Sequence, residues 1–369
     1  MHKAPFELAK IKSKDISKEI YVLFLVVTTD CMFNCKYCFV KKNPSYMDWH
    51  TAKRGVELLL KTKGKKKLLK IYGGEPLLNF PLIKKIVPHA EKLALKYGKE
   101  LTVTICSNMV LFNAENLKFI KKHEVSLALS SDGKPESHNL NRRFKTGKES
   151  AGIIESKLEL LLEKVSKEKL AINLTVPNEL VSELFENFKY LTALGANTFN
   201  VEPIMSDAWK KQEIVVFRRQ FQKILDWVIA SAEKGNFIFI TQINRELRYG
   251  EITEMMQGSC ILKRNLILST IGELHLNVFA AYSEEDRAEK CVGNVNTGIF
   301  SKHFGCKNKQ AEVCERCLAE YAKNLKKINA PSGTRNELTL QAVRELKRRA
   351  KSQLIYRKYL SQAKKQICF

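Results

Sequence analysis

The chain has 369 residues, 44% of them hydrophobic and 28% charged, which is enough to bury a full-sized core and excludes a disordered or fibrous protein. Its 63 Lys and Arg against 39 Asp and Glu leave a formal charge of +24, which suits an acidic partner such as RNA, an acidic peptide or an anionic cofactor, and equally a lysine-rich solvated surface. No run reaches the roughly 18 apolar residues of a membrane span, and residues 1–14 mix charge with short apolar runs, so a cytoplasmic protein with ten reduced cysteines is expected.

Ile20 to Val27 is an apolar, β-branched run expected as a buried strand, and it leads directly into Cys31, Cys35 and Cys38. Three thiols with three and then two residues between them can wrap a compact inorganic core while leaving a fourth position open. Zinc, a disulfide and buried thiols are the alternatives. Structural zinc sites pair two Cys-x-x-Cys knuckles, or one knuckle with two histidines, and neither follows closely. A disulfide needs an oxidising compartment. An iron–sulfur cluster held by three thiolates, with one iron open, fits the spacing best. Phe33, Tyr37 and Phe39 would shield such a cluster, or simply pack in the core.

A helix follows with Val56, Leu59 and Leu60 on its inner face, then a strand from Leu68 to Tyr72 that ends in Gly73, Gly74, Glu75 and Pro76. Two glycines let the backbone approach a ligand closely and the carboxylate can receive an ammonium group, although a tight turn reads the same way. Helices are expected over Pro81 to Tyr97 and Ala114 to Lys122. Strands are expected over Leu101 to Cys106, with Ser107 and Asn108 at the exit, and over Val125 to Ser130, with Ser131, Asp132 and Gly133 in the turn. After a polar loop the alternation resumes: helix Ala151 to Val165, strand Leu170 to Val176, helix Leu180 to Leu194, strand Thr198 to Glu202, and a long helix Phe217 to Ala232. Six strand–helix units imply a parallel sheet covered by helices, and polar exits after four successive strands favour a barrel with those loops at one mouth. Hydroxyl and amide groups of Ser107, Asn108 and Ser130 suit a ribose, and Arg142 suits a carboxylate.

Beyond about residue 236 the alternation stops and cysteines become dense, with Cys260, Cys291, Cys306, Cys314 and Cys317 within 58 residues. Cys314 and Cys317 with Cys260 and one more thiol make a four-ligand set for a second cluster or a structural zinc. Helical periodicity returns over Leu338 to Leu360, with Val343, Leu346, Ala350 and Leu354 on one side and Arg344, Lys347, Arg348, Lys351 and Lys358 on the other. The lysines at 61, 63, 65, 66 and 67 read as a solvated or phosphate-contacting face. Cys106 reads as a small buried hydrophobe, and Cys368 as a terminal thiol.

The spacing Cys-x-x-x-Cys-x-x-Cys-Phe after an apolar strand, joined to Gly-Gly-Glu-Pro at 73–76, resembles the signature of radical SAM enzymes. The stretch from Ser130 through Asp132, Gly133 and His138 to Arg142 resembles the same family's Ser-x-Asp-Gly pattern. The resemblance implies an α/β fold, a partial (β/α)6 TIM-like barrel. In it Cys31, Cys35 and Cys38 hold a 4Fe-4S cluster whose open iron binds the amino and carboxylate groups of S-adenosylmethionine. It further implies that Gly73, Gly74, Glu75 and Pro76 hold the methionyl amino group, and that Ser107, Asn108, Ser130, Asp132 and Arg142 contact the rest of that cofactor.

The distal thiols resemble a reduced SPASM or Twitch appendage: Cys260, a hairpin led by Gly272, a Gly293-Asn294 pair, then Cys314 and Cys317. The chain departs from that pattern at Asn277, where a cysteine is expected, and has no cysteine between Cys317 and Cys368. One auxiliary iron–sulfur site is therefore implied, with Cys260, Cys314 and Cys317 as ligands and Cys306 or Cys291 as the fourth. The division expected is a core barrel over 1–235, a small cysteine-rich domain over 236–330 and a basic helix over 331–369. The family's chemistry is reductive cleavage of S-adenosylmethionine to a 5′-deoxyadenosyl radical that abstracts hydrogen. Relatives of this layout mature ribosomally made peptides by crosslink, thioether or epimerisation, or form formylglycine in sulfatases. A peptide or protein substrate of acidic character and an electron donor such as flavodoxin or ferredoxin are the implied partners. RNA modification is a lesser alternative, since no aromatic–basic interleaving of an RNA module is visible, and a non-catalytic iron–sulfur or zinc scaffold is another.

Overall fold

The computed structural model describes residues 20–40, 44–204, 209–249, 265–275, 291–297, 299–300, 330–351, 353–363 and 366. Six parallel strands follow one another across the sheet in chain order: β1 (Val22–Thr28), β2 (Lys66–Gly73), β3 (Glu100–Ser107), β4 (Ser126–Ser130), β5 (Leu170–Val176) and β6 (Thr198–Pro203). Between them run α1 (Trp49–Lys61), α2 (Phe80–Lys96), α3 (Ala114–Lys122), α5 (Ala151–Lys164) and α6 (Leu184–Ala193), and α7 (Lys211–Glu233) follows β6. These strands are apolar on their helix-facing positions because helices cover that side. Leu23, Leu25, Leu69, Ile71 and Ile105 are buried there against Val56, Leu59, Ile83 and Ile86. The alternate positions, among them Phe24, Lys70, Cys106, Ser130, Asn173 and Asn200, line an inner cavity.

Local chemistry sets the helix starts. Asp48 caps α1 by accepting the Thr51 N–H at 2.7 Å. Asn113 and Asn116 form a reciprocal capping box on α3. The polar loop expected after β4 contains a helix instead, α4 (Pro135–Asn141), whose proline at the first turn is pre-set for helical φ.

The alternation also continues past residue 236, in elements too short to stand out in the sequence. β7 (Phe239–Ile240) extends the sheet in parallel beside β6 and leads into α8 (Thr241–Tyr249). On the far edge β8 (Asn265–Leu268) pairs in parallel with β1, Val22 opposite Asn265. A turn at Gly272 (φ +88°) then reverses the chain into β9 (Glu273–His275), and β10 (Cys291–Asn294) and β11 (Ile299–Phe300) add antiparallel strands outside it. A Cβ on Gly272 would lie 2.5 Å from the Asn296 amide, so this turn excludes a side chain. Gly293 and Asn294 lie opposite Leu274 and Glu273.

The single C-terminal helix expected over 338–360 is two helices, α9 (Ala330–Ala350) and α10 (Leu354–Ala363). Leu354, expected on the apolar side, is 77% exposed, while Tyr356 and Tyr359 are buried in its place. Both helices lie against the barrel: Tyr359 donates to the Ile238 carbonyl at 3.0 Å, and Glu233 of α7 accepts from Arg349 at 2.6 Å and Tyr356 at 2.7 Å. The lysine run does not form one face. Lys67 is buried with its Nζ donating to the carbonyls of Ile20 and Lys63 and to Thr62 Oγ1, whereas Lys65 pairs with Glu100 at 2.8 Å. Among the described residues no helix is long and apolar enough to cross a membrane.

Candidate active site

β1 ends at the cysteine loop, and backbone capping shapes that loop. Asp30 Oδ1 accepts the Cys31 N–H at 2.8 Å, Cys31 Sγ accepts the Phe33 N–H at 3.4 Å, and the Cys35 carbonyl accepts the Cys38 N–H at 3.1 Å. The loop is then docked on the segment after α4. Asn34 N–H donates to the Arg143 carbonyl at 2.7 Å, Lys36 N–H to that of Asn141 at 3.0 Å, and Lys145 N–H to that of Met32 at 2.9 Å. Phe33 and Phe144 meet edge to face at 4.9 Å.

Cys31, Cys35 and Cys38 all line one wall of a cavity of about 470 Å³. Burial pushes the Cys31 thiol up to about 12, so the protein alone keeps it protonated. Metal coordination is what deprotonates such a thiol. Among the described residues no three His, Cys, Asp or Glu converge as the ligands of a single ion would. Three cysteine thiols on the wall are a donor set that suits an iron–sulfur cluster with one iron left open.

The exit of β2 is stitched to the exit of β1. Gly74 N–H donates to the Thr28 carbonyl at 2.8 Å and Glu75 N–H to the Asp30 carbonyl at 2.7 Å. A Cβ on Gly73 would lie 2.2 Å from the Thr28 oxygen, and one on Gly74 2.2 Å from the Asp30 oxygen, so both must be glycine for this approach. Gly73 and Gly74 face the cavity, but the Glu75 carboxylate does not stand on its wall. It is fully buried and accepts from Ser107 Oγ at 2.6 Å, Leu77 N–H at 3.0 Å and Asn108 N–H at 2.8 Å. Burial raises its pKa while these hydrogen bonds oppose the rise. Glu75 thereby fixes Ser107 and Asn108 on the wall, and Pro76 starts the buried turn behind them. Asn108 Nδ2 in turn reaches Met32 Sδ at 3.3 Å.

Asp132 is likewise turned inward. Its Oδ1 accepts from Arg142 Nε at 2.9 Å and its Oδ2 from the Tyr37 hydroxyl at 2.6 Å. Arg142 also donates to Thr175 Oγ1 at 3.1 Å, and its guanidinium lies 5.3 Å from the centre of the Tyr37 ring. The Asp132 carboxylate favours the charged arginine and raises its pKa further, despite burial. Arg142, Ser130, Ser107 and Asn108 line the cavity. His138 stands behind this group, its Nδ1 facing the Asp132 N–H at 3.4 Å and its Nε2 against Ser150 Oγ at 3.1 Å. Burial pushes it down to about 3, so it is neutral.

Further residues of the cavity wall were not anticipated: Phe24, Lys70, Tyr72, Asn173, Asn200, Glu202 and Arg245. The available signal was a lysine interrupting the apolar run of β2, in a strand whose two faces are both covered. Cys106, expected as a core hydrophobe, also lines it, and burial pushes its thiol up to about 11. Cys260, Cys306, Cys314, Cys317 and Cys368 lie outside the described residues, as does Asn277. Cys291 is described, on β10, with its Sγ 3.3 Å from the Gly293 carbonyl.

The profile of the radical SAM superfamily matches residues 25–191. The uncharacterized protein MJ0907 of Methanocaldococcus jannaschii is 30% identical over 206 residues, 55% of this chain and 70% of that protein. The radical SAM cyclopropyl synthase TigE of Paramaledivibacter caminithermalis is 25% identical over 219 residues, 54% of this chain and 43% of TigE. Among solved structures, anSMEcpe with bound AdoMet superposes with a TM-score of 0.69 at 16% identity, over 94% of this chain and 98% of that one. SuiB of Streptococcus suis bound to its precursor peptide SuiA superposes with a TM-score of 0.56 at 15% identity, over 79% and 67%.

Proposed function

The chain belongs to the radical SAM superfamily and is an enzyme, and from that premise we propose that it modifies a peptide or protein by hydrogen abstraction, as a maturase of a ribosomally made peptide. The family's cofactors are a 4Fe-4S cluster and S-adenosylmethionine. The observation that carries the reading is the gathering of Cys31, Cys35 and Cys38 with the exits of β2, β3 and β4 around one cavity. When bound at the three thiols, the cluster supplies a low-potential electron and an iron open to the sulfonium cofactor.

The chain's own residues do the rest. Gly73 and Gly74 let backbone stand close to the cofactor, and Glu75 holds Ser107 and Asn108 in place from behind. Ser107, Asn108 and Ser130 present hydroxyl and amide groups suited to a ribose. Arg142, aimed by Asp132 and Tyr37, presents its guanidinium to a carboxylate. Phe24, Phe33 and Tyr72 keep the space between these groups dry.

A peptide substrate is supported by the company the chain keeps: anSMEcpe has been solved with the Kp18Cys peptide and SuiB with its precursor peptide. We assign one auxiliary iron–sulfur cluster to Cys260, Cys306, Cys314 and Cys317 within 236–330, and an electron donor of the flavodoxin or ferredoxin class. The dispersal of the lysine run favours a peptide over RNA.

The test is anaerobic reconstitution, reduction and incubation with S-adenosylmethionine and each short peptide that sequencing of the neighbouring genes yields, followed by mass spectrometry. Expected are 5′-deoxyadenosine and a peptide altered in hydrogen count or linkage. Cleavage that instead leaves the peptide unchanged and adds mass to tRNA overturns the substrate class, and absence of 5′-deoxyadenosine overturns the assigned chemistry.

A further inference from the structure

We infer that Glu273, His275 and Cys291, on the antiparallel strands at the far edge of the sheet, bind a divalent transition-metal ion of the zinc class beside the barrel cavity. The three residues share one face of the sheet. Glu273 and His275 are two apart on β9, and His275 lies directly opposite Cys291 of β10. Residues so paired carry Cβ atoms about 4.5–5.5 Å apart, which lets both side chains reach one ion. That face is the inner one. His275 also lies opposite Ile267 of β8, and Ile267 opposite Phe24 of β1. Phe24 lines the cavity, and Ile267 packs with Val26 and Val40 and against Phe24 and Tyr72. Two strand spacings of about 4.8 Å put His275 roughly 10 Å sideways from Phe24.

His275 carries the argument. It is fully buried, and among the described residues neither of its ring nitrogens has a hydrogen-bond partner. Its Nε2 lies 3.4 Å from Glu273 Oε2, outside hydrogen-bond geometry. Other imidazoles of the chain close onto their partners: His123 Nδ1 meets Glu91 Oε2 at 2.9 Å, and His138 Nε2 meets Ser150 Oγ at 3.1 Å. A buried polar group left unbonded weakens the fold unless something outside the protein satisfies it. An ion accounts for the spacing as well. Two ligand atoms each about 2.0–2.1 Å from a tetrahedral ion stand roughly 3.3–3.4 Å apart, which is the separation of this nitrogen and oxygen.

Cys291 completes the donor set by one movement. Its Sγ is turned along β10, 3.3 Å from the Gly293 carbonyl, so the three groups converge only after rotation about its χ1. The ladder is bulged between Cys291 and Gly293, and a bulge is where a strand re-aims a side chain. An imidazole nitrogen, a carboxylate oxygen and a thiolate together suit zinc, and three protein ligands leave a fourth position to water. Binding takes the proton from the Cys291 thiol and releases it to solvent. The ion would fasten β9 to β10 beside the cysteine loop, since Val40, which packs with Ile267, is two residues beyond Cys38.

The test uses the full chain, first reconstituted with iron and sulfide so that cluster thiols are occupied, then cleared of loosely held metal with a chelator. Zn²⁺ alone is titrated in competition with a chromophoric chelator, and Co²⁺ is titrated in parallel as a coloured substitute. His275→Ala and Cys291→Ser should each weaken zinc binding at least about tenfold, the loss that follows removal of even an outer partner of a ligand. The cobalt-loaded natural chain should show a thiolate-to-cobalt absorption that Cys291→Ser lacks. Zinc lost from the natural chain but never held by His275→Ala belongs to this site, and zinc held equally by both belongs to the distal thiols. Unchanged zinc affinity in His275→Ala, or one cobalt spectrum for the natural chain and Cys291→Ser, overturns the inference. If His275→Ala unfolds, His275→Cys takes its place: it should keep the zinc that Cys291→Ser loses, and equal affinities in these two variants overturn the inference. 5′-deoxyadenosine formation reports separately on the enzymatic reading, so the two can fail independently.

Discussion

Tyr37, in the middle of the cysteine loop, donates its hydroxyl to Asp132, 95 residues further along the chain, at 2.6 Å. Asp132 spends its other oxygen on Arg142, so one buried carboxylate ties the cysteine loop to the guanidinium at the cavity wall. Desolvation raises the Asp132 pKa and the two partners oppose the rise.

Asp132→Asn should be among the most damaging single changes in the barrel. It leaves Arg142 charged and buried without a counter-charge, and breaking such a pair costs about 3–5 kcal/mol. The shift is read as a fall in the urea midpoint with an unchanged m-value. Tyr37→Phe, which keeps the ion pair and removes one hydrogen bond to a charged group, should cost only about 1.5–3 kcal/mol.

Gly74→Ala tests the stitching of β1 to β2. Its Cβ would meet the Asp30 carbonyl at 2.2 Å, a backbone atom that cannot swing away. Overpacking of this kind costs about 1–3 kcal/mol. Because Asp30 also caps Cys31, the variant should take up less iron on reconstitution than Gly98→Ala, a glycine with open space around it.

His138 predicts an acid limit to stability. Its folded pKa is pushed down to about 3 from an ordinary 6.5, first by burial and then by Arg142, so the folded state resists a proton that the unfolded chain accepts. Its contribution is fully present above about pH 6.5 and is lost progressively as pH falls toward about 3. Urea midpoints measured across that window should drop more steeply for the natural chain than for His138→Gln, and parallel slopes would remove His138 as the cause.

Replacing Cys31, Cys35 and Cys38 together by alanine should lower bound iron by roughly four per chain. Iron that remains, with its absorbance, would belong to the thiols at 260, 306, 314 and 317. A triple variant free of iron would mean that those thiols hold no iron–sulfur cluster. Loss of zinc rather than iron from the natural chain on chelation would reassign the distal site to a structural metal.

Much of the barrel is visible in the one-dimensional pattern. β1 to β6 are short apolar runs separated by amphipathic stretches, and each recurs where the period of the apolar residues places it. α4 escaped because its residues are polar and only Pro135 marks its start, and β7 and β8 escaped because two and four residues carry no period. The three thiols, the paired glycines and Arg142 stand out because cysteine spacing and glycine pairs are rare enough to be informative alone.

By itself, then, the sequence determined the strand–helix alternation and the place of the cysteine loop at the end of β1, because hydrophobic period and cysteine spacing are properties of neighbouring residues. The tertiary structure decided where each polar side chain points. Glu75 turns toward Ser107 and Asp132 toward Arg142, while Lys70 turns into the barrel. Those directions follow from strand pairing and from partners 32 and 10 residues away for the two acids, and the parallel pairing of β8 with β1 joins residues more than two hundred apart. A buried carboxylate takes whichever donors the fold brings within reach, and no local pattern records which donors those are.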